Sequence, residues 1–175
     1  MRLKTVFLDR DGIINDVVMR ASGLSSPRSL GEFRITDDFP QLYNRISKLN
    51  LFVVTNQPDI SRKLLDEDVL QSIHLSLLER FEFREILYCP HDDSFNCHCR
   101  KPKPGMILAL LEKYGLDAAE AAIIGDSHRD ILAGQRAGLR TIYCKRDYNS
   151  AVSCAPDLIV EGLIELCSLP EFVYD

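Results

Sequence analysis

Short apolar runs alternate with segments of helical period along the whole chain. Thr5-Val6-Phe7-Leu8 is an apolar strand pattern that stops at Asp9. Phe39, Leu42, Tyr43, Ile46 and Leu49 then recur at helical spacing, with Asp37 or Asp38 placed as N-cap and Pro40 in the first turn. Leu51-Phe52-Val53-Val54 reads as the next strand. A helix over about 66–80 follows, starting near Asp66 with Val69, Ile73 and Leu77 on one face. Ile86-Leu87-Tyr88 is strand-like, 105–114 is helical and closed by Gly115, and Ala122-Ile123-Ile124 is another strand. The pattern ends with a helix over 128–137 before Gly138, strands at 139–143 and 157–160, and a short helix near 162–168.

This βαβα rhythm predicts an α/β fold, a parallel sheet with helices on both faces. Such sheets place their sites beyond the carboxyl ends of the strands. Asp9 follows TVFL, Thr55 follows LFVV and Asp126 follows AIIG, so all three are expected at one edge of the sheet.

Composition narrows the class. The 175 residues are 46% hydrophobic and 27% charged, which suits one globular domain with a proper core. No apolar run is long enough to span a bilayer, and the N-terminus enters a strand without an export-type cleavage region, so a cytoplasmic location is expected. Net charge is −5, and the longest basic block is Arg100-Lys101-Pro102-Lys103. That balance disfavours nucleic acid and suits a small anionic substrate gripped at one focused positive site.

In "FLDRDG", Asp9 and Asp11 stand two apart and face the same way on an extended chain. Such close carboxylates raise each other's pKa unless a cation intervenes, and a hard ion such as Mg²⁺ would answer, with Asp126 as a further ligand. Asp9 could then attack phosphorus, while Asp11 serves as acid and base; the competing reading is a capped turn. In "VVTNQPDI", Thr55 and Asn56 can donate to phosphoryl oxygens, or they merely close a local turn. Lys101 offers a point charge and Arg100 a bidentate grip, against the alternative of a solvated basic patch. Asp130 reads as a helix cap or as a supporting partner of the Asp126 site.

"CPHDDSFNCHCRKPKPGM" packs three cysteines and two histidines into residues 89–99. Cys89, His91, Cys97 and Cys99 make a Cys₃His set, which favours tetrahedral Zn²⁺ in a closed, structural site. His98 is able to replace His91, but Cys-Pro-His forms a knuckle that mirrors Cys97-His98-Cys99. Cys144, Cys154 and Cys167 sit among apolar residues and read as buried thiols. His74 is placed on a helix face, and His128 in a loop or at a pocket rim.

Taken in order, "FLDRDG", "VVTN", "RKPKPG" and "IIGDSHRD" resemble the four motifs of the haloacid dehalogenase (HAD) phosphohydrolases over residues 5 to about 145. "DRDG", "TNQ" and the Cys-x-His…Cys-x-Cys loop resemble the group of heptose 1,7-bisphosphate and histidinol-phosphate phosphatases. The resemblance implies a three-layer Rossmann-like fold without a cap domain, residues 1–175 forming one phosphatase domain with a zinc loop at about 89–100. It implies Asp9 as nucleophile, Asp11 as acid/base, and Thr55 and Lys101 as stabilisers of the phosphoryl group. Asp9, Asp126 and the Asp11 carbonyl would bind Mg²⁺, with Asn56, Gln57 and Arg100 recognising substrate.

Ile13 stands where the family commonly has Thr, and Pro58-Asp59 where it commonly has Ser-Gly, adding a negative charge near the mouth. Without a cap, 13–31 and 89–100 are the available pocket walls. The expected partner is a small phosphorylated metabolite, foremost D-glycero-D-manno-heptose 1,7-bisphosphate cleaved at C7. No membrane or nucleic acid partner is expected, and the chain is expected to be a monomer. The alternatives are histidinol phosphate, a polynucleotide 3′-phosphate, and a non-catalytic phosphate-binding scaffold on the same fold.

Overall fold

The computed structural model describes residues 2–149 and 154–172. In chain order the elements are β1 (Thr5–Leu8), β2 (Val18–Arg20), β3 (Gly23–Ser25), α1 (Phe39–Ile46), β4 (Asn50–Asn56) and α2 (Glu67–Leu78). Then come β5 (Glu85–Cys89), α3 (Gly105–Tyr114), β6 (Ala121–Gly125), α4 (His128–Arg136), β7 (Arg140–Cys144) and β8 (Leu158–Val160). The last expected helix is a 3₁₀ segment, Leu163–Ser168.

Six strands form one parallel sheet in the order β5-β4-β1-β6-β7-β8. The chain winds outward through β4 and β5, returns, and winds the other way through β6, β7 and β8. The reversal lies between β1 and β6, the crevice where open parallel sheets hold their ligands. The central strands β1 and β6 are buried along their whole length because both faces are covered, whereas the edge strands β5 and β8 are only partly buried. Side chains alternate cleanly: Val6, Leu8, Leu51 and Val53 pack with Phe39, Leu42 and Leu163 on one face. On the other, Phe7, Phe52, Val54 and Ile123 pack with Met106, Ile107 and Ala133. Phe7 and Phe52 stack at 5.3 Å, and truncating Phe52 to Ala would cost about 3–5 kcal/mol.

Several helix signals work as the sequence implies, and one is diverted. Gly115 closes α3 in the left-handed region at φ 60°, and Ser127 with Asp130 forms a capping box at the start of α4. Asp38 occupies the N-cap position of α1 but makes no capping bond. Its carboxylate instead accepts from Arg146 at 2.8 and 3.2 Å and from the Leu163 N–H at 3.0 Å, tying the C-terminal segments to the head of α1.

The β2–β3 hairpin has no counterpart in the expected elements. Only three residues long on each side and half-exposed, it lacks the apolar alternation that marks a strand. Ile13 lies fully buried in the larger core cluster, so its apolar side chain is used in packing. Among the described residues no helix is long and apolar enough to cross a membrane.

Candidate active site

Strand register fixes the site. Leu8 pairs with Val53 on one side and Ile124 on the other, so Asp9 emerges level with the ends of β4 and β6, beside Thr55 and Asp126. All three line one cavity of about 650 Å³, together with Asp11, Lys101 and Asn56. Both expected walls contribute to it: Val17, Leu24, Ser26 and Arg28 from one, Asp93 and Arg100 from the other.

Lys101 is 2% exposed and reaches the middle of the acids. Its Nζ lies 2.8 Å from Asp9 Oδ1 and 2.6 Å from Asp130 Oδ1, and donates to the Val54 carbonyl at 2.7 Å. Burial, repulsion from Asp130, and the opposing pull of Lys101 leave the Asp9 carboxyl pushed up to about 8. Burial and Asp130 likewise push Asp126 up to about 7, although a 2.6 Å hydrogen bond from Tyr148 works against the shift. Lys101 itself is held protonated, its two carboxylate partners overcoming the burial.

Asp11 behaves in the opposite way. It is largely withdrawn from solvent, which opposes its charge, yet its carboxyl is held below the usual range by the Arg10 guanidinium and by donors from Asn15 and Ser26. Arg10 donates at 2.9–3.1 Å, Asn15 at 2.8 Å, Ser26 at 2.7 Å and Gln57 at 2.7 Å. Arg10 is fully buried, and its far nitrogen meets His74 Nε2 at 3.2 Å. His74 is therefore not a plain helix-face residue. Burial and the Arg10 charge hold it neutral, with its pKa lowered to about 3.

The residues expected to recognise substrate divide. Asn56 spends its side chain on the Lys101 backbone, donating to its carbonyl and accepting from its N–H, each at 3.0 Å. Gln57 is fully buried and bridges Asp11 to Thr55 Oγ1, the latter at 3.0 Å. Arg100 lines the cavity wall, fixed by Asp93 at 2.7 Å and by the His91 carbonyl at 3.0 Å. Asp59 is buried and paired with Arg28 at 2.8 Å and Arg62 at 3.6 Å, so the added charge at the mouth is matched.

A strap that no motif announced closes the far side. After β7, Arg146 donates to the Gly12 carbonyl at 2.7 Å, Tyr148 to Asp126 Oδ2, and Asn149 to the Asp126 carbonyl at 2.5 Å. Gly12 turns at φ 88°, and a Cβ there would sit 2.1 Å from Asp126 Oδ2 and 2.3 Å from the Tyr148 hydroxyl. Only glycine lets the loop approach so closely.

Among the described residues, two clusters have donors suited to metal. Asp9, Asp126 and Asp130 bring carboxylate oxygens within 4.8 Å of one another, all buried, and Asp9 and Asp126 carry raised pKa values that a hard cation would relieve. The second joins Cys89, Cys97 and Cys99, with sulfurs 3.2–3.5 Å apart, to His91 Nδ1 at 3.5–3.6 Å from Cys89 and Cys99. Those gaps are too long for disulfides and near the ~3.8 Å edge of a tetrahedron with 2.3 Å arms. His98 is exposed and outside the cluster. Gly105 at the start of α3 abuts it, since a Cβ there would lie 2.3 Å from the His98 carbonyl oxygen.

A parallel sheet carrying a carboxylate pair, a hydroxyl, a buried lysine and a further acid at its switch point is built for phosphoryl transfer. Residues 98–166 match the HAD-hydrolase-like family model. The chain is 32% identical over 152 residues to the D-glycero-alpha-D-manno-heptose-1,7-bisphosphate 7-phosphatase of Photorhabdus laumondii, covering 79% of this chain and 80% of that one. It is 32% identical over 172 residues to the D-glycero-beta-D-manno-heptose-1,7-bisphosphate 7-phosphatase of Pseudomonas aeruginosa, covering 93% and 84%. The D,D-heptose 1,7-bisphosphate phosphatase of B. bronchiseptica, crystallised with magnesium and phosphate, superposes with TM-score 0.80 at 26% identity, covering 94% of this chain and 96% of that one. This chain belongs to the HAD phosphatases, in the branch that holds these relatives.

Proposed function

We propose that the chain is a Mg²⁺-dependent phosphomonoesterase that removes the C7 phosphate of D-glycero-D-manno-heptose 1,7-bisphosphate. It would act as a single-domain monomer in the cytoplasm, where a reducing milieu keeps its six cysteines free. One observation carries the reaction: Asp9 stands in the switch-point cavity with Lys101 at 2.8 Å and Asp126 beside it. The relatives' names support the substrate, and they include both anomers.

Asp9 attacks phosphorus in line with the C7 oxygen, and the P–O bond to the sugar breaks as the aspartyl phosphate forms. Lys101 and the Thr55 hydroxyl face the charge that spreads over the phosphoryl oxygens. Asp11 gives its proton to the leaving alkoxide. For that step Asp11 must carry a proton, against the ionised form that Arg10, Asn15, Ser26 and Gln57 favour in the free site, so it is the group whose state has to change when substrate binds. In the second half Asp11 takes a proton from water, which attacks the phosphoaspartate and frees Asp9 and inorganic phosphate. Asp9, Asp126 and the Asp11 carbonyl would hold Mg²⁺, which supplies charge neutralisation for the incoming phosphate. Cys89, His91, Cys97 and Cys99 would hold Zn²⁺, which supplies a rigid loop to carry Arg100 and Lys101.

The test is steady-state hydrolysis of both heptose bisphosphate anomers, histidinol phosphate and a 3′-phosphorylated oligonucleotide, with an acid-quench trap for phosphoenzyme. One heptose anomer should dominate, and the trapped label should be hydroxylamine-sensitive and absent from Asp9→Asn. Equal rates on all substrates would remove the substrate assignment. Normal turnover by Asp9→Asn would remove the mechanism.

A further inference from the structure

The basic block of the sequence holds a second lysine that the phosphoryl site does not use. Lys101 turns inward to Asp9, whereas Lys103 reaches back to the cysteine loop and does not line the cavity. Its Nζ donates to the Asn96 carbonyl at 3.0 Å, to the Asn96 side-chain oxygen at 2.5 Å and to the Cys97 carbonyl at 2.9 Å. Three acceptors occupy every proton of an ammonium. A lysine on a solvated patch keeps its head in water, so a head occupied in this way marks a built contact.

Both ends of the contact are prepared. Asn96 turns at φ 45°, in the left-handed region that asparagine visits more readily than most residues, and offers two oxygens to one ammonium. Lys103 stands between Pro102 and Pro104, whose rings restrict the backbone on either side, and its N–H donates to the Arg100 carbonyl at 2.9 Å. Its side chain thereby closes a ring from Cys97 to Lys103 that contains Arg100 and Lys101.

All three acceptors are neutral, so none of them offsets the charge of Lys103. The adjoining cluster has the opposite imbalance. Three thiolates and a neutral imidazole around Zn²⁺ leave one negative charge in excess, and Cys89 is fully buried, where such charge is costly to leave unmatched. The bond to the Cys97 carbonyl also fixes the main chain that carries one of the sulfurs.

We propose that Lys103 is a positioning residue of the zinc site: its ammonium, braced on Asn96 and Cys97, offsets the excess thiolate charge and holds the Cys97 ligand in place. The proposal rests on the zinc reading of the cluster.

The test follows zinc release from the full chain into excess chromogenic chelator at fixed pH. Lys103→Met removes charge and donors, and Lys103→Gln keeps a donor without charge. Each should release zinc about tenfold faster than wild type, as losses beside metal ligands do. Lys103→Arg keeps a cation with several donors and should stay within about threefold. With zinc bound, all three variants should keep the wild-type KM, because Lys103 does not line the cavity. Wild-type release from both Lys103→Met and Lys103→Gln would overturn the proposal. A raised KM with unchanged release would do the same and return Lys103 to a substrate-attracting basic patch. Wild-type release from Lys103→Gln alone would remove the charge and leave an ordinary hydrogen-bonded hook, which also defeats the proposal. The two readings separate in the wild type: a chain purified without zinc removes the zinc reading itself. A zinc-loaded chain whose release no variant alters removes only the role of Lys103.

Discussion

The carboxylate cluster at the sheet edge and the cysteine cluster in the loop both gather metal-type donors, but they solve opposite problems. Asp9, Asp126 and Asp130 are all buried around a single lysine, and the first two are pushed up toward neutrality. Their negative charge exceeds what Lys101 offsets and calls for a cation, which a site that is to accept an anionic phosphate also requires. The cysteine cluster turns on itself, with donors 3.2–3.6 Å apart and the Arg100–Lys101 dipeptide as its immediate continuation. The difference teaches that donor type alone does not mark the reactive metal site. Uncompensated charge inside a cavity does.

Removing charge from the first cluster should do most damage. Lys101→Met should cut kcat on the order of 10³-fold, since it removes a buried donor from the phosphoryl group. It should also cost about 3 kcal/mol of stability by leaving Asp9 and Asp130 without their cation. Steady-state kinetics and chemical denaturation check both. A Lys101→Met enzyme of normal kcat would show that the buried pairings serve only the fold.

Opening the second cluster should act on binding more than on chemistry. Cys97→Ser should lose bound zinc and lower the melting temperature, with kcat/KM falling about ten- to a hundredfold, mainly through KM as Arg100 loosens. Metal analysis, calorimetry and kinetics on one preparation separate these effects. If kcat collapsed as far as in Lys101→Met while the melting temperature held, the loop would belong to the chemistry.

A finer probe touches the first cluster from the strap. Tyr148→Phe removes the 2.6 Å hydrogen bond to Asp126 Oδ2, which orients that carboxylate and favours its ionised form. Mg²⁺ affinity should weaken about tenfold, read by calorimetric titration without substrate. An unchanged affinity would mean that Gly12 and the Asn149 bond to the Asp126 backbone already fix the ligand.

Tyr148 also marks where reading the sequence stops. Asp9, Thr55 and Asp126 were legible because each ends an apolar strand, and parallel topology brings strand ends together. The Cys₃His set was legible from spacing that lies within one loop. The strap was not, because Tyr148 and Asn149 reach Asp126 across 22 and 23 residues by tertiary folding alone, with no motif to announce them. Asp38 shows a second kind of limit: a proper capping residue in the proper place was taken over by Arg146 and Leu163. Asn56 and Gln57 show a third, since side chains at a strand end also make hydrogen bonds to their neighbours that the sequence does not announce: Asn56 with the Lys101 backbone and Gln57 with Asp11.

His74 gives the smallest effect and the sharpest sign. Its folded pKa of about 3 lies below the ordinary 6.5, because burial and Arg10 oppose its charge. Between those values the unfolded chain binds more protons than the folded one, so stability rises with pH through the window and is flat above it. At pH 5 the cost is about 2 kcal/mol relative to neutral pH. His74→Gln keeps an acceptor for Arg10 but cannot titrate, so it should abolish that slope and leave stability near pH 7.5 almost unchanged. Subtracting the variant's denaturation curves from the wild type's cancels the oppositely signed contributions of Asp9 and Asp126, whose raised values favour the fold at lower pH. A difference curve that is flat from pH 7 to pH 4.5 would mean that His74 titrates normally and that Arg10 is anchored by Asp11 alone.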